Sequence, residues 1–279
     1  MRTAKLSLMI LSVSLLMSVP AGGMGEEWIE RYNGPANDWD QAYAIAVSED
    51  GVFVTGTSYD FGSMAKCATV RYYPEGGFDW VATYESTFSG DCPSDIAADG
   101  SGHVYVTGKT GTDSTGIDIL TIKYSAAGDE VWAATYDGPA SYWDEGSAIA
   151  VDDSWNVYVT GWRSPTMTSF DYVTIKYAPD GRELWATPYE GLSGSGGRAR
   201  GIAGGADGGV YVTGTSTGGT TGMDIVTIRY NADGTEDWVA RYNGPGNEGD
   251  EARALALDDS CNVYVVGISD SGDEDLVTT

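Results

Sequence analysis

From Trp28 onward, short runs in which apolar or small residues recur at every second position alternate with turns rich in glycine, aspartate and asparagine. Alternation of period two, in runs of about five residues that are largely β-branched or aromatic, predicts strands rather than helices. The sharpest run ends in glycine each time. Its copies are Val52-Phe53-Val54-Thr55-Gly56, Val104-Tyr105-Val106-Thr107-Gly108, Val157-Tyr158-Val159-Thr160-Gly161, Val210-Tyr211-Val212-Thr213-Gly214 and Val263-Tyr264-Val265-Val266-Gly267. The closing glycines step by 52, 53, 53 and 53 residues. A fixed period of that size, built from short strands, predicts a repeat architecture.

Each unit carries four strand-like segments. In the third unit these are Trp132 to Tyr136, Ala148 to Val151, Val157 to Gly161 and Val173 to Tyr177. The units divide as 26–77, 78–129, 130–182, 183–235 and 236–279. Four short antiparallel strands with Gly-rich turns, repeated at about 53 residues, predict an all-β fold of β-propeller blades. The Ala/Gly-rich segment belongs innermost, because only small side chains fit where blades converge. The Tyr-bearing segment comes next, then the Thr-Ile-Lys-Tyr type, with the Trp-bearing segment outermost. Trp28, Trp80, Trp132, Trp185 and Trp238, one per unit, are expected as structural packing between sheets. Trp28 to Tyr32 could supply the outer strand of the last blade and close a five-bladed ring; the alternative is a fragment of a larger propeller.

Composition changes the picture in three ways. Residues 1–25 open with Arg2 and Lys5, continue with an apolar run from Leu6 to Val19, and end in small residues, which predicts a cleaved secretory signal. The expected location is therefore outside the cytoplasm: secreted, periplasmic or at the cell surface. Without that leader the formal charge moves from -26 to -28, since two basic and no acidic residues leave with it. Such a surface repels nucleic acid and anionic headgroups, so neither a nucleic-acid partner nor membrane insertion is expected. Finally, one histidine excludes multi-His zinc sites.

Tyr242-Asn243-Gly244-Pro245-Gly246-Asn247, Ala148 to Asp152, Asn156 to Gly161, Tyr172 to Tyr177 and Gly181-Arg182-Glu183-Leu184-Trp185 together resemble an exported β-propeller repeat family of bacteria and archaea. The group is usually named for seven-bladed propellers (SBBP-type repeats), and the resemblance covers residues 26–279. It implies a secreted or surface propeller with no shared catalytic set. Five units rather than seven is the departure from it.

Candidate chemistry lies in loops that a propeller gathers on one face. Asp40, Asp91, Asp144 and Asp250 precede the inner strand in four units, with Gly197 in the fourth unit's place. They could form a carboxylate ring that holds Ca²⁺, or each could cap its own turn. A second series, Asp118, Asp171, Asp224 and Asp275, precedes the third strand, with Lys66 in the first unit. Trp39, Trp143 and Trp162 sit irregularly among these loops, and flat rings beside carboxylates suit sugar. The expected ligand-binding set is Trp39, Asp40, Trp143, Asp144 and Trp162. Cys67 and Cys92 fall on the same face and are candidates for a disulfide, which leaves Cys261 odd. Gly194-Ser195-Gly196-Gly197-Arg198-Ala199 matches a dinucleotide fingerprint but precedes a strand, so phosphate binding is not expected.

These readings predict a non-enzymatic exported module that recognises a glycan or a cell-surface protein through its loop face. Two alternatives stay open: a polysaccharide hydrolase or lyase using channel-mouth carboxylates, and a purely structural array in a larger surface protein.

Overall fold

A computed structural model describes residues 28–59, 65–86, 88–113, 115–192, 196–270 and 274–278. The signal segment 1–25 lies outside the described residues, as does the start of the glycine-rich 194–199 pattern. Among the described residues none is helical, so none forms a helix long and apolar enough to cross a membrane.

Among the described residues, nineteen strands make five antiparallel sheets. The first blade holds β1 (Asp40–Ser48), β2 (Gly51–Tyr59), β3 (Ala65–Tyr72) and β4 (Phe78–Tyr84). The second holds β5 (Phe88–Ala98), β6 (Val104–Thr112), β7 (Gly116–Tyr124) and β8 (Glu130–Tyr136). The third holds β9 (Glu145–Val151), β10 (Val157–Thr166), β11 (Ser169–Tyr177) and β12 (Glu183–Tyr189). The fourth holds β13 (Arg198–Gly204), β14 (Val210–Thr217), β15 (Met223–Tyr230) and β16 (Glu236–Tyr242). The fifth has three described strands, β17 (Asp250–Leu257), β18 (Val263–Asp270) and β19 (Glu274–Thr278). Strand order follows chain order in every sheet, and the first strands of successive sheets contact one another, as blades around an axis require. The fold is a β-propeller arrangement, with the strand order expected from residue size.

The glycine that ends each repeat run has a steric cause. A bulge in the first strand, such as the one between Ala42 and Ala44, pushes a carbonyl toward the second strand. A Cβ on Gly56 would lie 1.9 Å from the Gln41 oxygen, and one on Gly161 would lie 2.0 Å from the Glu145 oxygen. Only glycine fits. The preceding threonine is buried and turns its hydroxyl to the third strand: Thr107 Oγ1 donates to the Leu120 carbonyl at 3.0 Å and Thr160 Oγ1 to that of Val173 at 3.1 Å. A β-branched residue there satisfies both the strand geometry and its own hydroxyl.

Blades lock together through one repeated latch. The Trp80 indole N–H donates to the Ala126 carbonyl, Trp132 to Pro179 and Trp185 to Ala232, each at 3.1 Å and each on the next blade. The same rings lie flat against turn glycines of that next blade, Gly128, Gly181 and Gly234, all at positive φ. Around this latch, Phe53, Tyr105 and Tyr158 from β2, β6 and β10 are buried in the successive junctions.

Trp28 makes the same latch onto the first blade, donating to Pro74 at 3.1 Å and touching Gly76. Residues 28–32 nevertheless form no strand, so the ring closure that would add them to β19 is not seen. They sit where the outer strand of a preceding blade would lie. Trp28 and Tyr32 pack against the cluster of Val52, Val54, Val70 and Tyr72, while Ile45 and Val47 on β1 stay exposed. At the other end Tyr264, the counterpart of Tyr105 and Tyr158, is 50% exposed.

Candidate functional site

The loops between outer and inner strands share a pattern. Asn33-Gly34-Pro35-Ala36-Asn37, Asp137-Gly138-Pro139-Ala140-Ser141 and Asn243-Gly244-Pro245-Gly246-Asn247 all place their fifth residue in the left-handed region, at φ 53°, 48° and 52°. Asparagine and serine tolerate that conformation, and Asn37, Ser141 and Asn247 each return an amide to the glycine carbonyl. The aspartate that ends each loop accepts the glycine amide: Gly34 to Asp40 at 2.8 Å, Gly138 to Asp144 at 2.5 Å and Gly244 to Asp250 at 2.7 Å. In the second blade Ser86 plays that part toward Asp91 at 2.6 Å. Each member of the expected carboxylate ring thus caps its own loop. The fourth repeat's Gly197 instead donates to the Phe170 carbonyl at 2.6 Å.

Of the expected aromatic set, the structure presents two to solvent and withdraws one. Trp39 is 64% and Trp143 62% exposed, and so are Tyr59, whose amide donates to the Trp39 carbonyl, and Tyr142 beside Trp143. Trp162 is only 8% exposed, which removes it from the ligand-binding set. Its ring meets Phe170 edge-on at 5.0 Å, and the Arg198 guanidinium from the next blade lies over both rings at 4.6 and 4.3 Å. No face is left for a sugar. The Cys67–Cys92 bridge is likewise not formed: both are free thiols, as is Cys261. Cys67 is buried beside the Thr55 hydroxyl at 3.9 Å, and Cys92 accepts from Thr57 at 3.7 Å. Burial pushes the Cys67 thiol up to about 12. His103 belongs to a turn, with Nδ1 3.2 Å from Asp99.

Among the described residues, the Trp143 loop holds a close acidic grouping. Residues 142–144 run beside the start of β7: Asp144 N donates to Ile117 O at 2.7 Å, and Ile117 N to Tyr142 O at 3.2 Å. This parallel bridge carries Asp137 and Asp144 onto Asp118. One carboxylate oxygen from each of the three lies within 4.8 Å of the others. Asp118 is 3% and Asp144 1% exposed, whereas Asp137 faces solvent. Burial raises the Asp118 carboxyl above its ordinary value; the Thr115 hydroxyl opposes this and the Asp137 charge adds to it. Burial also raises Asp144, against the Gly138 and Ser164 amides and with the charges of Asp137 and Asp118. Such oxygen-only donors suit a hard cation. Sequence reasoning placed Asp118 and Asp144 in separate series and did not single out Asp137. Its signal was the acid at a loop position that holds Asn33 and Asn243 in sister loops.

Neither a protein-family model nor a curated protein matches the sequence. Among solved structures, a protein of unknown function from Dyadobacter fermentans DSM 18053 is similar over 86% of this chain and 83% of its own, with a TM-score of 0.53 at 9% identity. A quinohemoprotein alcohol dehydrogenase from Pseudomonas putida HK5 is similar over 82% of this chain, with a TM-score of 0.51 at 14% identity. This chain spans 39% of that enzyme's length. An endo-arabinase from Bacteroides thetaiotaomicron VPI-5482 covers 86% of this chain and 93% of its own, with a TM-score of 0.44 at 14% identity. At such identities the likeness speaks to fold alone. It still corrects one expectation. The alcohol dehydrogenase is an enzyme built on this fold, so the forecast of a non-enzyme does not stand. A repeat without a shared catalytic set leaves chemistry open, because on such folds function resides in individual loops.

Proposed function

We propose that this chain is an exported propeller that engages a polysaccharide on its loop face and hydrolyses it with carboxylates there. The observation that carries the reading is the pair of exposed indoles, Trp39 and Trp143, each joined in sequence to an aspartate on a structured loop. An exposed indole on a rigid loop offers an apolar face for a sugar ring at small entropic cost. Asp38 and Asp40, on either side of Trp39, are the carboxylates beside such a chain. Glycoside hydrolysis needs a pair of carboxyl groups flanking the bond. With a formal charge of -28 once the leader is removed, a neutral polysaccharide is the expected substrate, and uronate-rich chains, the substrates of elimination, are disfavoured. Export is part of the proposal and rests on the apolar run of residues 6–19 and on the resemblance to exported propeller repeats.

The test is affinity electrophoresis and reducing-end release on a panel of neutral and anionic polysaccharides. A neutral polysaccharide should retard the protein and be cut, and Trp39→Ala with Trp143→Ala should abolish the retardation. Neither retardation nor product on any member of the panel would overturn the reading. Retardation without product would keep the surface and remove the chemistry.

A further inference from the structure

We propose that Asp118, Asp137 and Asp144 form a calcium site that ties the Trp143 loop to the second blade. Comparing the blades at equivalent positions carries this inference. In the first blade the place of Asp118 is taken by Lys66, which pairs at 3.1 Å with Glu85, the counterpart of Asp137. In the third, Asp171 and Glu190 face Arg163 at 3.6 and 3.8 Å. In the fourth, Asp224 meets Arg241 at 2.9 Å, and a neutral Asn243 stands where Asp137 does. Each of these blades brings its own cation. The second blade has acids at both places, adds Asp144, and carries Thr110 and Thr135 where the third and fourth carry Arg163 and Arg241. The nearest strand lysine, Lys109, is engaged by Glu145 at 3.0 Å. Among the described residues, no lysine or arginine pairs with any of the three acids.

A second observation points into the same place. Asp118 is 3% exposed and its Oδ1 has no hydrogen-bond partner, while Oδ2 accepts from Thr115 at 2.7 Å. A buried carboxylate oxygen without donor or cation is costly, and Asp171 and Asp224 show how this fold otherwise neutralises it. Oxygen atoms within 4.8 Å of one another match Ca²⁺, whose ligands sit at about 2.3–2.6 Å and leave room for water. Asp144 uses both oxygens to accept amides, from Gly138 at 2.5 Å and Ser164 at 2.9 Å. Each oxygen retains a further lone pair for a metal.

The site does not depend on the polysaccharide reading, and its test reads cation binding only. Calcium titration by calorimetry, with thermal melting in Ca²⁺ and in chelator, should show one saturable site and a Tm raised by Ca²⁺. Tb³⁺ should luminesce on excitation of the adjoining Trp143. Asp137→Asn should weaken binding by at least about tenfold, since charge count sets affinity in such sites. Asp118→Lys, which installs the first blade's own solution, should abolish both binding and the Ca²⁺ dependence of Tm. Asp259→Asn, an exposed acid elsewhere, should leave both unchanged. Absence of saturable binding at millimolar Ca²⁺, or binding unaffected by Asp137→Asn, would overturn the proposal. Asp137 faces solvent, so that variant remains informative even if Asp118→Lys fails to fold.

Discussion

The junctions inside the arc and the two flanks at its ends are built from the same repeated residues and differ in whether another blade adjoins them. Tyr158 of β10 is buried at the third junction, 6.3 Å from Trp185, with Val210, Val212 and Ile228 in the same cluster. Tyr264 of β18, at the same repeat position, is half exposed. Ile149 on β9 is buried by the blade before it, whereas Ile45 on β1 is open. A propeller blade thus has two apolar faces, and a blade with a single neighbour buries only one of them. Its stability is a nearest-neighbour quantity, as in other repeat proteins.

The largest effect should separate the two tyrosines. Tyr158→Ala should lower unfolding free energy by about 3–5 kcal/mol in urea titration, and Tyr264→Ala by under about 1. Similar losses would break the comparison, because the flank would then be as buried as a junction. Next, Gly181→Ala adds a Cβ 2.7 Å from the Trp132 ring at φ 86°, combining backbone strain with loss of the latch. It should cost about 3 kcal/mol, against about 1 for Gly208→Ala, where φ is 78° but nothing lies within 4 Å. A smaller effect is expected at the open flank. Val47→Lys should change stability by less than about 0.5 kcal/mol and reduce concentration-dependent self-association in sedimentation, since it charges an exposed apolar strand.

The smallest effect concerns pH. Burial would raise the Asp207 carboxyl, but the Arg229 guanidinium, the Gly209 amide and the Tyr211 hydroxyl outweigh it and bring it to about 2. A folded value below the unfolded one stabilises the protein above about pH 4, and that contribution is lost as pH falls toward 2. Melting curves from pH 6 to pH 2 should therefore show a gap between wild type and Asp207→Asn that closes on acidification. A gap that persists at pH 2 would assign the loss to geometry rather than charge.

Much of this was readable in the chain. The strand order followed from the size of residues near the axis, and the blade period from the five glycines that accommodate a bulged carbonyl. What escaped reading depends on neighbours far away in sequence. The burial of Trp162 requires Arg198 from the next blade, which no local pattern reveals. The meeting of Asp118 with Asp137 and Asp144 requires the bridge between Ile117 and Trp143. One part of it was available in the repeats themselves: aligning Thr110 and Thr135 with Arg163 and Arg241 exposes a blade without its cation.

The indole latch also imposes an order in time. Each acceptor carbonyl lies 46 or 47 residues downstream of its tryptophan. A chain emerging N-terminus first cannot latch a blade until the outer turn of the next has followed it out. Folding during synthesis should therefore advance one blade behind the emerging chain. Every latch spans a similar sequence distance, so adding blades lengthens this process without adding longer loops to close. The most recently made blade is the one exposed at any moment, and it is there that a chaperone would find its apolar face.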